Sequence, residues 1–394
     1  MGERSAEDAL VDLIPLTIAY FLVNFGGWLW YALWGKYLVL DLGFRGDDLG
    51  FFMMIYNLFY ALATLPSGRL ADIIDSRKIL FSGVLLYSVG VLLLAFSTGF
   101  SSISLVCALI GFGEGVFFTS ATIYAVRRGG LSRAGMTYGF VFSMGLLGEV
   151  LGSFASGYAK ETLGSRSLFI LSFAIIASTL PLTFLLRRER LVRLVERKPA
   201  NLLRILRDHP EFRLLALGLV FHSIGFNAIF SFFSVYAGEL GLSDSEIGLV
   251  NFAWLLSTFL MTMPWSILAD RVENRLILVG HLALSSASWL AYIHSWDFRT
   301  IILAAAFMGF VSSMDMPARR KLVAELERGY GIGVLIGSLD LITMLSAIPA
   351  PIFGGIIYQA MGSRIAFWIA SIINLLGIPF LLRIGGASRG REYA

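Results

Sequence analysis

Long apolar stretches dominate the chain, and polar residues are confined to short joints between them. Twelve stretches can be marked, over 11–36, 48–70, 79–98, 101–126, 133–159, 166–187, 212–238, 244–268, 276–294, 299–324, 330–358 and 364–386. A helix needs about 20 apolar residues to cross the hydrocarbon core of a bilayer, and each stretch supplies roughly that number. None shows the alternation of a lipid-facing barrel strand, and each is too long for one. The pattern predicts an all-α membrane protein of twelve transmembrane helices, numbered here 1 to 12.

The joints repeat. Gly68-Arg-Leu-Ala-Asp-Ile-Ile-Asp-Ser-Arg-Lys78, between helices 2 and 3, returns between helices 8 and 9 as Ser266-Ile-Leu-Ala-Asp-Arg-Val-Glu-Asn-Arg275. Asp72 and Asp270 lie 198 positions apart (270 minus 72). The same shift pairs Pro66 with Pro264, Leu42-Gly43 with Leu240-Gly241, Gly164-Ser165-Arg166 with Gly362-Ser363-Arg364, and Pro181 with Pro379. Six helices is an even number, so the halves share one orientation, as parallel repeats about an axis along the membrane normal. The expected units are a six-helix bundle over 1–187, a linker over 188–210, and a second bundle with a short tail over 211–394. The linker places Leu191, Val192, Leu194 and Val195 among basic residues. It reads as a cytoplasmic spacer or as an interfacial amphipathic helix.

Composition agrees with a membrane location: 57% of residues are hydrophobic and 15% charged, against about 45–50% and about 25% in soluble domains. The placement of the charges adds topology. Arg77/Lys78, Arg127/Arg128/Arg133, the 187–213 cluster and Arg319/Arg320/Lys321/Arg328 fall on one set of joints, whereas the other set carries Arg45, Lys160, Arg166, Arg299 and Arg364 singly. Lys and Arg accumulate on the cytoplasmic side, so both termini and the linker are expected in the cytoplasm and the chain in the cell membrane. The polar, net acidic Met1–Asp12 segment does not read as a signal peptide. The net charge of +4 is a topology signal and not a nucleic-acid patch. The single cysteine, Cys107, sits in an apolar run, so no disulfide is expected. There is no phosphate-binding loop with its lysine, no His/Cys cluster and no nucleophile with a base, which argues against an enzyme, a cofactor or a metal site.

The 68–78 joint resembles the signature of the major facilitator superfamily, Gly-x-Leu-Ala-Asp-(Arg/Lys)-x-Gly-(Arg/Lys)-(Arg/Lys), through Gly68, Leu70, Ala71, Asp72 and Arg77, with Lys78 extending the basic end. Ile73, Asp75 and Ser76 depart from it. The resemblance implies a conformational latch. Gly68 would permit close helix approach, and Asp72 would face the N-terminus of helix 11 near Tyr330-Gly331. Asp270 would face helix 5 near Arg133-Ala134-Gly135, with Arg77 and Arg275 holding the carboxylates. Such latches would favour an outward-open state. A plain basic loop is the alternative reading.

The resemblance also places helices 1, 4, 7 and 10 around a central cavity. Helical spacing puts Asn24, Trp28 and Tyr31 on one face of helix 1; His222 holds the position in helix 7 that Asn24 holds in helix 1, and Asn227 follows. These five are the expected substrate-binding residues, with an interhelical hydrogen bond as the alternative for Asn24 and a satisfied packing histidine as the alternative for His222. Four acids lie within spans: Glu114, Glu149, Asp315 and Asp340. Charge at membrane depth is expensive, which marks each as a functional candidate. Glu114 and Glu149 are the leading proton carriers, since no basic residue lies near them on their own helices, whereas Asp315 has Arg319 one turn on. Gly148-Glu-Val-Leu-Gly152-Ser-Phe-Ala-Ser-Gly157 resembles the antiporter signature Gly-x-x-x-Gly-Pro-x-x-Gly-Gly, although ordinary small-residue packing explains it equally. Cys107 stands where proton-coupled exporters of the family often carry Arg.

The expectation is a monomeric secondary transporter moving an amphiphilic or cationic small molecule by alternating access, with proton-coupled export the leading mode. Its partners would be the solute, protons and membrane lipids, without nucleic acid. Uptake of a small nutrient is one alternative. A receptor or lipid-handling protein without solute turnover is another.

Overall fold

A computed structural model describes residues 11–188, 202–327 and 329–385, with side chains throughout except at 65, 72 and 129–134. The Asp72 side chain, most of the linker and both chain ends, on which the expected placement of the termini rests, lie outside the described residues.

All regular structure among the described residues is helical, and eleven helices are long and apolar enough to cross a membrane. They are α1 (Ile14–Asp41), α2 (Gly46–Ile73), α3 (Ser76–Leu94), α4 (Phe100–Arg128), α5 and α6 (135–163 and 165–185), α7 (Pro210–Ile229, continued by Phe232–Glu239), α8 (Asp244–Ala269), α9 (Asn274–Ile293), α10 (Phe298–Glu325), α11 (Ile332–Met361) and α12 (Ser363–Leu382). One apolar segment, Gly135–Leu185, has 51 residues and makes two passes, which brings the total to twelve.

Helical turns follow one another over Phe100–Ala177 with no intervening loop, yet a straight helix of that length would reach ~117 Å, several times the bilayer core. The chain turns back instead. Thr137 Oγ1 donates to the carbonyl of Ala125, twelve residues earlier, at 2.9 Å. Between α5 and α6, Gly164 takes φ +78°, and Gly362 takes φ +84° between α11 and α12. This is left-handed backbone that only glycine adopts freely, which explains why the Gly-Ser-Arg joint recurs. Helix starts are also fixed locally: Ser243 Oγ accepts from Glu246 N at 3.2 Å while Glu246 Oε2 accepts from Ser243 N at 2.9 Å, a reciprocal cap on α8.

The two halves are related by a two-fold axis, and the contacts obey it. Arg77 donates to the carbonyl of Leu186, and Arg275 to that of Ile384, each residue displaced by 198. Lys36 N donates to Ser234 Oγ at 3.3 Å, and 36 and 234 also differ by 198. Equivalent residues meet only where the axis passes.

Among the described residues, ion pairs between the halves gather at one end. Lys36 pairs with Asp244, and Lys160 bridges Asp41 and Asp244. Glu161 accepts from Ser245, and Gly46 N donates to Gln359. Glycine allows the helices to close there: a Cβ on Gly157 would lie 1.9 Å from Asp244 O, and one on Gly355 2.4 Å from Gly46 O. These two crossings are again symmetry mates (46 to 244, 157 to 355). At the opposite, arginine-rich end the ion pairs among the described residues stay within a half: Arg77–Asp75, Arg187–Asp12, Arg320–Asp340 and Lys321–Asp270. That end of the C-terminal half has its own buried core around Phe212, Leu278 and Leu322. The molecule is sealed at one end and parted at the other.

Candidate functional site

A cavity of about 420 Å³ lies between the halves. Into it α1 projects Asn24, Trp28 and Tyr31, α2 Tyr56 and Tyr60, α4 Glu114, α5 Glu149, and α7 Asn227 and Phe230. An adjoining space of about 460 Å³ shares Asn24, Tyr60 and Glu149 and continues between α4 and α5 past Thr122 and Tyr138, toward the arginine-rich end. Toward the sealed end, aromatic rings close the cavity. Trp28 meets Tyr31 and Trp254 edge-on at centroid distances of 5.6 and 5.9 Å, and Phe230 meets Trp254 at 5.7 Å.

The local sequence explains how two carboxyl groups reach this space. Glu114 is flanked by Gly111 and Gly115, where a Cβ would lie 2.3 Å from Tyr56 O and 2.6 Å from Tyr60 O. Bare glycine lets α4 press onto α2, and Tyr56 Oη then donates to Glu114 Oε2; Tyr87 is within hydrogen-bonding reach of the same carboxyl. Glu149 is flanked by Gly148 and Gly152, whose Cβ atoms would each lie 2.4 Å from a carbonyl of α1, Phe21 O and Phe25 O. This seats Glu149 within reach of the Trp28 indole. The glycines of the signature-like stretch on α5 therefore pack the helix, Gly148 and Gly152 against α1 and Gly157 against α8. The two carboxyl groups interact electrostatically, and no Lys, Arg or His appears among the described lining residues. An acidic, aromatic cavity without a basic partner can hold a proton or an organic cation.

Asn24, Trp28, Tyr31, Asn227, Glu114 and Glu149 are thus brought together. His222 is not. It points into the C-terminal half, where Nδ1 contacts Asn374 Oδ1 at 2.9 Å and Nε2 contacts His281 Nε2 at 3.3 Å. Asp315 is held by Arg319 on its own helix, and Asp340 by Arg320 at 2.9 Å, both outside the cavity lining. At the latch positions a Cβ on Gly68 would meet open space among the described residues. Arg77 pairs with Asp75 at 2.7 Å, and Arg275 pairs with Glu273 at 2.7 Å, not with Asp270. Asp270, 72% exposed, pairs with Lys321. Among the described residues no contact joins Asp270 to the other half; the Arg133 and Ala134 side chains, beside which it was expected, lie outside them.

Sequence reasoning missed Tyr56, Tyr60, Phe230 and Trp254. The available signal was the pair Tyr56 and Tyr60, one turn apart on one face of α2; nothing local announces Phe230 or Trp254.

Comparison with known proteins matches this architecture. The sequence model of the Major Facilitator Superfamily matches twice, over residues 16–239 and 215–392. The quinolone resistance protein NorA of Staphylococcus aureus is 27% identical over 153 residues, 39% of each chain. The match thus spans well under half the length of that relative. An uncharacterized MFS-type transporter of Bacillus subtilis, YuxJ, is 21% identical over 341 residues, 83% of this chain and 86% of that one. Among solved structures, a bacterial homolog of the human lysosomal transporter Spinster, inward-facing and unoccupied, superposes with a TM-score of 0.76 at 15% identity, over 96% of this chain and 97% of that one. Its occupied form gives 0.77 at 14% identity, over 97% of both chains.

Proposed function

Because the chain belongs to the Major Facilitator Superfamily, a family of membrane transporters and not of enzymes, we propose that it exports amphiphilic aromatic cations across the cell membrane in exchange for protons. The observation that carries this reading is the pair Glu114 and Glu149 in an aromatic cavity with no basic residue among its described lining residues. Trp28, Tyr31 and Phe230 supply π-faces for an aromatic cation, and Asn24 and Asn227 supply polar contacts. Cation and proton compete for the same two carboxylates, so loading one from either side of the membrane displaces the other. The partial match to a quinolone resistance protein agrees with a drug-like solute.

The basic joints support a cytoplasmic location for the parted end, and on that reading this is the inward-open state. The bundles 1–187 and 211–394 then rock about the cavity. When the arginine-rich end closes, Asp72 and Asp270 engage the opposite half as latches, positioned by Gly68, Arg77 and Arg275. In the present state Asp270 waits on Lys321.

Proteoliposomes loaded with ethidium or a fluorescent quinolone test the reading. Wild-type protein should drive flux when a pH gradient is imposed, and Glu114→Gln and Glu149→Gln should each abolish the gradient dependence. Gradient-driven flux retained in both variants would exclude these acids as the coupling sites. Flux insensitive to the gradient in the wild type would instead indicate a facilitator.

A further inference from the structure

The C-terminal half contains a polar cluster that the transport cavity does not use: His222 on α7, His281 and Ser286 on α9, and Asn374 on α12. Its hydrogen bonds fix where each proton lies. The Asn374 amide nitrogen donates to the carbonyl of Leu282 at 2.7 Å and to Ser286 Oγ at 2.9 Å; Ser286 Oγ in turn donates to Ser371 O at 2.9 Å. Both amide protons are therefore committed, and the atom facing His222 is the oxygen Oδ1. An oxygen there accepts, so His222 carries a proton on Nδ1, 2.9 Å away. His281 Nδ1 faces the carbonyl of Val311 at 3.0 Å, which also accepts, so His281 carries its proton on Nδ1 as well.

In two neutral imidazoles this leaves both Nε2 atoms as bare lone pairs. Yet those atoms face each other at 3.3 Å, with the rings inclined by 65°. Two acceptors in a low-dielectric interior repel unless something electrophilic lies between them. We propose that His222 and His281 form a proton-binding site, with one excess proton shared between their Nε2 atoms. The proton bonds to one Nε2 and is accepted by the other; on release it passes to water, and one ring must turn to relieve the facing lone pairs. The ionisable groups that face the pair from α10 are Asp315 and Arg319. Asp315 favours the extra positive charge and Arg319, bound to it, opposes it; on α12 the Asn374 amide faces His222. His281 is 2% exposed and His222 partly exposed, so His222 is the ring from which the proton leaves.

A divalent metal would also separate two imidazole nitrogens by about this distance, but structural sites need about four ligands. No third His, Cys, Asp or Glu completes a metal cluster among the described residues. The proposal stands apart from Glu114 and Glu149 and does not require that they carry the transported proton.

The chain has four histidines, His209, His222, His281 and His294, so ¹⁵N-histidine labelling gives an assignable nitrogen spectrum of the purified full chain, with His222→Gln and His281→Gln as assignment controls. Titration between about pH 5 and pH 9 brackets the ordinary imidazole range. The expected result is three ring protons on the pair at the acid end, loss of one in a single step, and disappearance of that step in His281→Gln. Gln places an amide donor against His222 Nε2, which keeps the contact without titrating. Two ring protons throughout the range would overturn the proposal. So would one equivalent of zinc in the purified protein whose removal by chelator changes the Nε2 signals. The wild-type titration decides the matter even if the variant does not fold.

Discussion

Closing the sealed end depends on a missing side chain, which makes Gly157→Val a sharp perturbation. A Cβ there would lie 1.9 Å from Asp244 O, 2.3 Å from Asp244 C and 2.5 Å from Ser245 Cα, whereas real contacts essentially never fall below 3.0 Å. The helices must therefore part by at least about 1.1 Å (3.0 minus 1.9). All three atoms belong to α8, in the other half, so the clash exists only while the sealed end is sealed and leaves the packing within each half intact. Overpacking of this kind costs about 1–3 kcal/mol, which shifts a two-state equilibrium by about 5–150-fold. Spin labels in a Cys107→Ser background read that shift. One pair, at Leu163 and Met361, reports the sealed end, and another, at Met136 and Ile332, reports the arginine-rich end; all four sites are exposed. Gly157→Val should lengthen the first distance and shorten the second. Its symmetry mate Gly355→Val, against Gly46 O, should do the same. A folded variant with both distance distributions unchanged would refute the argument that these glycines hold the sealed end together.

Lys160, with its side chain 6% exposed, bridges Asp41 and Asp244; Lys160→Met should open the sealed end by up to about 3–5 kcal/mol, as for a broken buried pair, and adding Asp41→Asn should restore part of the closure in the same distance measurement. Arg77→Ala and Arg275→Ala each cut a tie to the last carbonyls of their own half. Each should cost about 1–3 kcal/mol, and because the sites lie in different halves the losses in thermal stability should add in the double variant. Although burial of Asp75 opposes its charge, the Arg77 guanidinium and backbone N–H hold its carboxyl below the usual range. Its stabilisation is therefore present above the unfolded-state value of about 3.9 and lost as pH falls through the lower folded-state value. Asp75→Asn should lower Tm at neutral pH, and the difference from wild type should shrink at strongly acid pH.

Much of the fold was legible because it was written twice. A shift of 198 residues, read from loops alone, reappears as the Lys36–Ser234 contact on the axis and as the matched ties of Arg77 and Arg275. Glu114 and Glu149 were legible because an acid in an apolar span without a basic neighbour is conspicuous. Tyr56 was less so, since its role is set by contact with another helix. His222 shows where the repeat misleads: it occupies the register of Asn24, but Asn374 and His281 draw its ring away from the cavity. The latch residues were visible as a motif, yet their contacts depend on which end of the molecule is closed, and a sequence carries no record of that.

The central claim is that cation and proton compete for Glu114 and Glu149. Its most direct measurement is proton release when ethidium is added to purified protein in weakly buffered detergent, followed with a pH indicator alongside ethidium fluorescence. The account predicts that binding to the wild type acidifies the solution and that the Glu114→Gln/Glu149→Gln double variant releases no protons. Ethidium binding to the wild type without proton release, or equal release from the double variant, would contradict it.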